Sequence, residues 1–305
     1  MQPAVSIIIP VFGVEAYIAR CARSLFEQTC RDVEFIFVDD GSEDRSMEVL
    51  REVLDAYPDV APRVRIISKR NEGQSLARRD GVAVSRGAYI MLVDADDWIE
   101  PCTVEKLLAA AKESDADLVI YDFWKEYGHR RKVDSEKDGN IADKERYRKN
   151  LYTYRAYGHI CNKFCRRSLC EGLFYPRHSM HEDIVFSTQV IYKARTIVHV
   201  KEALYHYDRT NLNSSTRVKK QVRRSRSARN MMDFYCAFSG RPDSPVTGLE
   251  NELLLRAAWV GFTMDRSIYS DYPFLKDAAR HLPLMPFRRV LLVQQLVLKL
   301  WLHRK

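Results

Sequence analysis

Two kinds of apolar pattern alternate along the first part of the chain. Val5 to Ile9, Glu34 to Val38, Val64 to Ile67, Tyr89 to Val93 and Leu118 to Tyr121 are short, nearly continuous apolar runs. Such runs read as strands buried on both faces of a sheet. Between them the apolar positions fall at helical spacing: Ile18, Cys21, Leu25 and Phe26; then Met47, Leu50, Leu54 and Tyr57; then residues 74–85; then Val104, Leu107, Leu108 and Ala111. Pro10 closes the first strand and Pro58 stops the second helix. Strands alternating with helices predict an α/β protein, a mainly parallel sheet with helices on both faces.

The pattern changes twice. Residues 124–150 are polar and charged, with Gly139-Asn140 as a turn, and read as an insertion or connecting loop. Residues 151–210 look like the other half of the same domain, less regular and rich in Tyr and His. From about 217 onward the spacing is helical, which divides the chain into a domain of 1–216 and a helical extension of 217–305. Val290 to Leu302 is apolar but only about 13 residues long and is interrupted by Gln294, Gln295 and Lys299. A spanning helix needs about 20 apolar residues, so this one is expected either to lie in a membrane interface or to pack on the core.

Composition adds little to the class and more to the partners. The 305 residues are 46% hydrophobic and 30% charged, which excludes a disordered or fibrous chain. The net charge of +8 is unevenly placed. It gathers in Arg217, Lys219, Lys220, Arg223, Arg224, Arg226 and Arg229, and again in Arg288, Arg289, Lys299, Arg304 and Lys305. That asymmetry points to an anionic surface as a partner of the C-terminal third. The seven cysteines have no framework spacing and read as reduced thiols, and no signal peptide precedes the first strand. The expected location is cytoplasmic, peripheral at the inner face of a membrane.

The chemistry gathers where two of these strands end in acidic residues: Asp39-Asp40 after the second, and Asp94, Asp96 and Asp97 after the fourth. Ligands of open α/β sheets bind outside the carboxyl ends of the strands. Carboxylates crowded there repel one another unless a cation neutralises them, and Mg²⁺ or Mn²⁺ bridging a diphosphate is the simplest such cation. Asp40 suits a base or ribose. An acidic turn capping a helix is the plainer account of both sites. The first strand is followed by a single glycine, Gly13, without G-x-G-x-x-G, and no Walker A sequence occurs. A glycine cradle therefore does not carry the phosphates.

Four segments together, Ser6-Ile7-Ile8-Ile9-Pro10-Val11-Phe12, Val38-Asp39-Asp40-Gly41-Ser42-Glu43-Asp44, Asn71-Glu72-Gly73-Gln74-Ser75-Leu76-Ala77-Arg78 and Asp94-Ala95-Asp96-Asp97, resemble the family 2 glycosyltransferases. Those are inverting enzymes of the GT-A fold that use nucleotide sugars. The resemblance covers the first 125 residues strongly and continues more weakly to about 216. It implies that Pro10, Val11 and Glu15 border the nucleotide and that Asp40 holds a uracil-like base. The Asn71–Arg78 segment would line the nucleotide pocket, with Arg78 near the diphosphate. Asp96 would contact the ribose and the metal, Asp97 the metal, and Asp94 would complete the D-x-D. Arg79 stands where many relatives have Asn.

Met180-His181-Glu182-Asp183-Ile184-Val185-Phe186 resembles the family's acidic pair before an apolar helix. The resemblance makes Asp183 the catalytic base, with Glu182 as supporting residue or rival. The alternative is an acidic helix start favoured by the helix dipole. His206 is placed to reach a metal or diphosphate or else to pack in the core. Asn213-Ser214-Ser215-Thr216 resembles a loop that covers the donor, and Lys163 a recurrent position of unassigned role. The implied activity is metal-assisted transfer of a sugar from a UDP-type donor to a glycan or lipid-linked saccharide, with no nucleic acid involved. The rivals are a nucleotidyltransferase, which would want a glycine-rich basic loop after the first strand, and a non-catalytic basic module binding membrane or nucleic acid.

Overall fold

The computed structural model describes residues 2–136, 140–152, 156–178, 180–211, 219–282 and 289–303, the last segment with side chains from 295 to 302. Gly139, the proposed donor-covering segment 213–216, Arg217, residues 285–288, Arg304 and Lys305 lie outside the described residues.

The first half of the chain follows the apolar pattern closely. In order come β1 (Val5–Val11), α1 (Ile18–Phe26), β2 (Val33–Asp39), α2 (Ser46–Asp55), β3 (Val64–Ser68), α3 (Gln74–Val84), β4 (Tyr89–Leu92), the short β5 (Trp98–Ile99), α4 (Thr103–Glu113) and β6 (Leu118–Glu126). Then follow β7 (Arg131–Asp134), α5 (Lys144–Leu151), β8 (Lys163–Arg166), α6 (Glu182–Lys193) and β9 (Ile197–Asp208). The C-terminal helices are α7 (Lys220–Phe238), α8 (Glu250–Thr263), α9 (Ile268–Asp271), α10 (Leu275–His281) and α11 (Arg289–His303).

The strands form one sheet in the order β3-β2-β1-β4-β8-β6-β9-β5, with β7 paired to β6. The β3-β2-β1-β4 half is parallel, as the βαβ alternation predicts. The other half is mixed. There β8 runs antiparallel between β4 and β6, while β9 returns parallel to β6 and antiparallel to β5. The polar 124–150 stretch is in part a hairpin, since β6 runs on to Glu126 and pairs with β7. Its exposed edge strand carries no apolar run and so was not legible as a strand.

Pro10 does not close β1, which continues to Val11. Successive residues of a strand direct their backbone groups to alternate neighbours. Ile8 O accepts from Val93 N on the β4 side, and Val11 O accepts from Asp40 N on the β2 side. The missing N–H of Pro10 therefore faces β4, whose ladder with β1 has already ended at Ile8–Leu92.

Two apolar cores cover the two faces of the sheet. Val5, Ile7, Ile9 and Val11 pack with α1, α2 and α4 on one side. Ile8, Ile36, Val38, Ile90 and Leu92 belong to the core on the other, which also takes in α5, α6, α7, α8, α10 and α11. The C-terminal extension thus shares its core with the sheet. Leu298 and Leu302 of α11 are buried there, while Leu296, Val297 and Leu300 face outward. Among the described residues no helix is long and apolar enough to cross a membrane.

Candidate active site

A cavity of about 900 Å³ opens at the carboxyl ends of β1, β2 and β4. Pro10, Val11, Asp40, Asn71, Arg78, Asp94, Asp96, Glu182 and Asp183 all line it. The parallel half of the sheet, with the turns and helix that follow its strands, gathers all but the last two. Gln74, within the segment expected to line the nucleotide pocket, also lines it, as do Phe12, Tyr207, Asn211, Lys220, Arg223 and Arg224, which the sequence reading assigned to no site.

Asp40 builds the nucleotide side of the cavity from beneath. It is buried, and its two carboxylate oxygens accept from the backbone N–H groups of Glu72 (3.0 Å) and Gly73 (2.8 Å). These bonds hold the Asn71–Gly73 turn against the end of β2. Gly73 has φ of +94°, a conformation open to glycine at little cost, and it starts α3. Asp39 beside it does turn work, accepting from Ser42 N at 2.9 Å. The ring of Phe12 is 54% exposed at the mouth of the cavity, a large open apolar face. Glu15, expected to border the nucleotide, does not line the cavity. It is exposed and accepts from Arg45 N at 3.0 Å, while its own N–H donates to Asp44, so the pair ties the start of α2 to the loop before α1.

The D-x-D turn divides its three carboxylates. Asp94 and Asp96 line the cavity; Asp97 does not. Asp97 is fully buried, with Tyr205 Oη donating to one oxygen at 2.5 Å and Asp208 N to the other at 2.7 Å. Tyr205 in turn accepts from Asp94 N at 3.1 Å. Asp97, expected to bind the metal, therefore fastens β9 to the turn and does not line the cavity. Burial, then Asp96 and Asp94, raise its carboxyl well above the usual range. Asp96 accepts from Asn211 Nδ2 at 2.8 Å, and burial with Asp94 nearby pushes its pKa up to about 6.

Among the described residues no group of three or more His, Cys, Asp and Glu side chains could hold a metal ion. Two cavity-facing carboxylates nonetheless fit a Mg²⁺- or Mn²⁺-type site. Such ions are bound by one or two carboxylates plus substrate phosphates and water, without a protein cage. His206 is not part of that set. It is buried between Glu126 (2.7 Å) and Glu100 (3.0 Å) and stacked on Trp98.

Arg78 joins the D-x-D to the second acidic pair. Its side chain is only 2% exposed. Nη2 lies 2.6 Å from Asp94 Oδ1, and Nη1 lies 3.8 Å from both Glu182 and Asp183. Burial disfavours the cation, but the three carboxylates outweigh it and raise its pKa. Among the described residues Nε and Nη1 have no hydrogen-bond partner. Arg79 faces outward, paired with Asp80.

Glu182 is buried and committed: it accepts from Met180 N at 2.6 Å and from Gln74 Nε2. Asp183 keeps 34% of its side chain open to the cavity. Recessed among protein groups, its pKa is pushed up to about 7 by burial and Glu182, against the pull of Arg78. Both residues sit in the first turn of α6, where the dipole favours carboxylates. The segment entering that helix is held in an unusual backbone, with φ of +147° at Met180 and +58° at His181. Helix α7 holds it there. Asn230 Nδ2 donates to His178 O and Met180 O, both at 2.7 Å, and Ser227 bonds the His181 ring. Lys163, fully buried, donates to Tyr157 O, His159 O and Asn162 Oδ1 and so props the opposite wall. Burial pushes its pKa down to about 8.

Fold and site together define an α/β scaffold with a cavity at the carboxyl edge of its parallel strands. The profile described as Glycosyl transferase family 2 matches residues 6–174. The chain belongs to that family. It is 37% identical over 213 residues to the putative glycosyltransferase EpsH of Bacillus subtilis, a match covering 67% of this chain and 60% of EpsH. The E. coli chondroitin synthase is 42% identical over 106 residues, 35% of this chain and 15% of that protein. This chain thus spans about 60% of the length of relatives such as EpsH. Among solved structures, S. aureus TarS 1-349 in complex with UDP-GlcNAc aligns with a TM-score of 0.65 at 16% identity, over 98% of this chain and 91% of that one. Mannosyltransferase PcManGT from Pyrobaculum calidifontis, in complex with GDP-Man and Mn²⁺, aligns with a TM-score of 0.56 at 15% identity, over 99% of this chain and 88% of that one. The fold is that of the GT-A glycosyltransferases.

Proposed function

We propose that the protein is an inverting glycosyltransferase that moves a sugar from a nucleotide diphosphate donor, of UDP type, to a hydroxyl of a saccharide acceptor. The observation that carries this reading is the placement of Asp183, the more open member of the acidic pair, in the same cavity as Asp94 and Asp96. Asp40 and the Asn71–Gly73 turn it supports would receive the nucleoside, with the face of Phe12 available for stacking. A divalent cation held by Asp96 and Asp94 would offset charge on the departing diphosphate. Family membership favours a nucleotide-sugar donor, as do the UDP-GlcNAc bound by TarS and the GDP-Man bound by PcManGT.

In this reading the acceptor oxygen attacks the anomeric carbon from the face opposite the diphosphate. A carbon–oxygen bond forms there as the bond to the diphosphate oxygen breaks and its electron pair leaves with the phosphate. The hydroxyl proton passes to Asp183, whose pKa near 7 is matched to that task. Glu182, already accepting from Met180 N and Gln74, steadies the start of α6 and is a positioning residue. Arg78 holds the two acidic sites at a fixed separation.

A lipid-linked acceptor at a membrane surface suits the outward-facing Leu296, Val297 and Leu300 of α11, beside Lys299. Screening nucleotide sugars for turnover, with Asp183→Asn as control, tests the proposal. A donor consumed by wild type and bound but not consumed by the variant supports it. Equal consumption by both would remove Asp183 from the chemistry.

A further inference from the structure

The basic run that begins the C-terminal extension does not behave as one surface. Arg229 is internal, paired with Asp265 at 2.9 Å and Asp271 at 2.7 Å. Lys220, Arg223 and Arg224 instead line the catalytic cavity. Their spacing of i, i+3 and i+4 puts them on one face of α7, and the same face continues through Ser227 to Asn230. Those last two residues bind the His178–His181 segment that leads into Asp183. The cationic wall therefore stands on the base side of the cavity, where an attacking hydroxyl must lie.

The two outer cations of this wall are Lys220 and Arg224. Among the described residues no carboxylate lies within ion-pair reach of Lys220 or Arg224, and the neighbour of the Arg224 guanidinium is Met264 Sδ, at 3.9 Å. The first turn of α7 contains no acidic residue, so the helix dipole adds to the positive potential. Of the cavity's acidic groups, Asp94, Glu182 and Asp183 surround Arg78. Lys220 and Arg224 are exposed and at the same time line the cavity, so an anion they hold lies beside the proposed base.

We infer that Lys220, Arg223 and Arg224 form a phosphate-binding subsite for the acceptor, so that the substrate glycosylated here carries phosphate near its reactive hydroxyl. This rests on the proposed transferase reading and names the acceptor's chemical class. Two sources share that chemistry, a lipid diphosphate-linked saccharide and a phosphodiester-bearing glycan.

The test uses the whole chain and calorimetry with three probes: a farnesyl-diphosphate-linked N-acetylglucosamine, a glycerol-phosphate trimer and a neutral trisaccharide of N-acetylglucosamine. Each is titrated into wild type and into Lys220→Gln/Arg224→Gln, whose altered residues are exposed and whose folding is verified by thermal melting. UDP with Mn²⁺ is titrated in parallel. Losing two charge-assisted contacts should weaken a phosphate-bearing probe by roughly tenfold or more and flatten its salt dependence. The neutral probe should be unaffected, and UDP affinity should change less than about twofold, within the range of a screened distant charge. Whichever phosphate probe binds identifies the source. Equal loss of UDP affinity would assign the wall to the donor and overturn the inference. So would phosphate probes that bind no better than the neutral one. If wild type binds a phosphate probe but no nucleotide, it is the transferase reading that fails.

Discussion

Arg78 Nη1 stands 3.8 Å from Asp183 Oδ1, while Nη2 of the same guanidinium is 2.6 Å from Asp94. One buried cation thus spans the carboxylate proposed to bind the metal and the carboxylate proposed as base. Burial and Glu182 push Asp183 up to about 7, and Arg78 is the group that limits the rise. Because the base must be ionised, kcat/KM should climb with pH, half-developed near pH 7. For stability the sign is opposite. A carboxyl whose folded pKa lies above its ordinary 3.8 stabilises fully below that value, and the contribution is lost as pH rises through about 7. A pH–rate profile set beside urea melts at several pH values checks both.

Arg78→Met would leave Asp94, Glu182 and Asp183 without their shared cation. The expected cost is about 3–5 kcal/mol in urea unfolding, typical of breaking a buried pair from one side. The deficit should shrink as pH falls and the carboxyls take protons. Adding Asp183→Asn to the same chain should recover part of it, a coupling readable in a double-mutant cycle.

Asp96 and Asp97 should separate cleanly. Asp97→Asn leaves Tyr205 Oη or Asp208 N poorly matched inside the protein and should cost about 1–3 kcal/mol of stability. Metal-dependent nucleotide affinity should survive it. Asp96→Asn should do the reverse, lowering that affinity at little cost in stability. Thermal melting and calorimetry on the two variants decide this.

Asn230→Ala removes the fork that holds His178 and Met180 and should destabilise by about 1–3 kcal/mol. The loss should fall on kcat more than on nucleotide affinity, because the segment it holds leads to Asp183 and not to Asp40. Steady-state kinetics with a measured nucleotide Kd separates the two.

The parallel half of the fold was legible because its strands are buried on both faces and read as unbroken apolar runs. The acidic strand ends were legible for a related reason, since carboxylates after Val38 and Val93 stand out against such runs. What could not be read was orientation. Asp94, Asp96 and Asp97 are chemically alike in the sequence, and only the pairing of β5 with β9 turns Asp97 toward Tyr205 and away from the cavity. Glu15 carries no mark that distinguishes a nucleotide contact from a bond to Arg45 N. The α7 face running from Lys220 through Arg223, Arg224 and Ser227 to Asn230 lies within and just beyond the basic run that the sequence shows only as an excess of charge. A polar stripe ordinarily means solvent, and here it meets a cavity wall and the loop before Asp183.

The most direct measurement of the central claim is a calorimetric titration of UDP into the full chain with and without Mn²⁺. The account predicts binding that strengthens by at least roughly tenfold with the metal, as expected when a cation bridges carboxylates and a diphosphate. If GDP or dTDP binds in place of UDP, the transferase stands and the base preference changes. A folded protein that binds none of these nucleotides, with or without metal, would contradict the account.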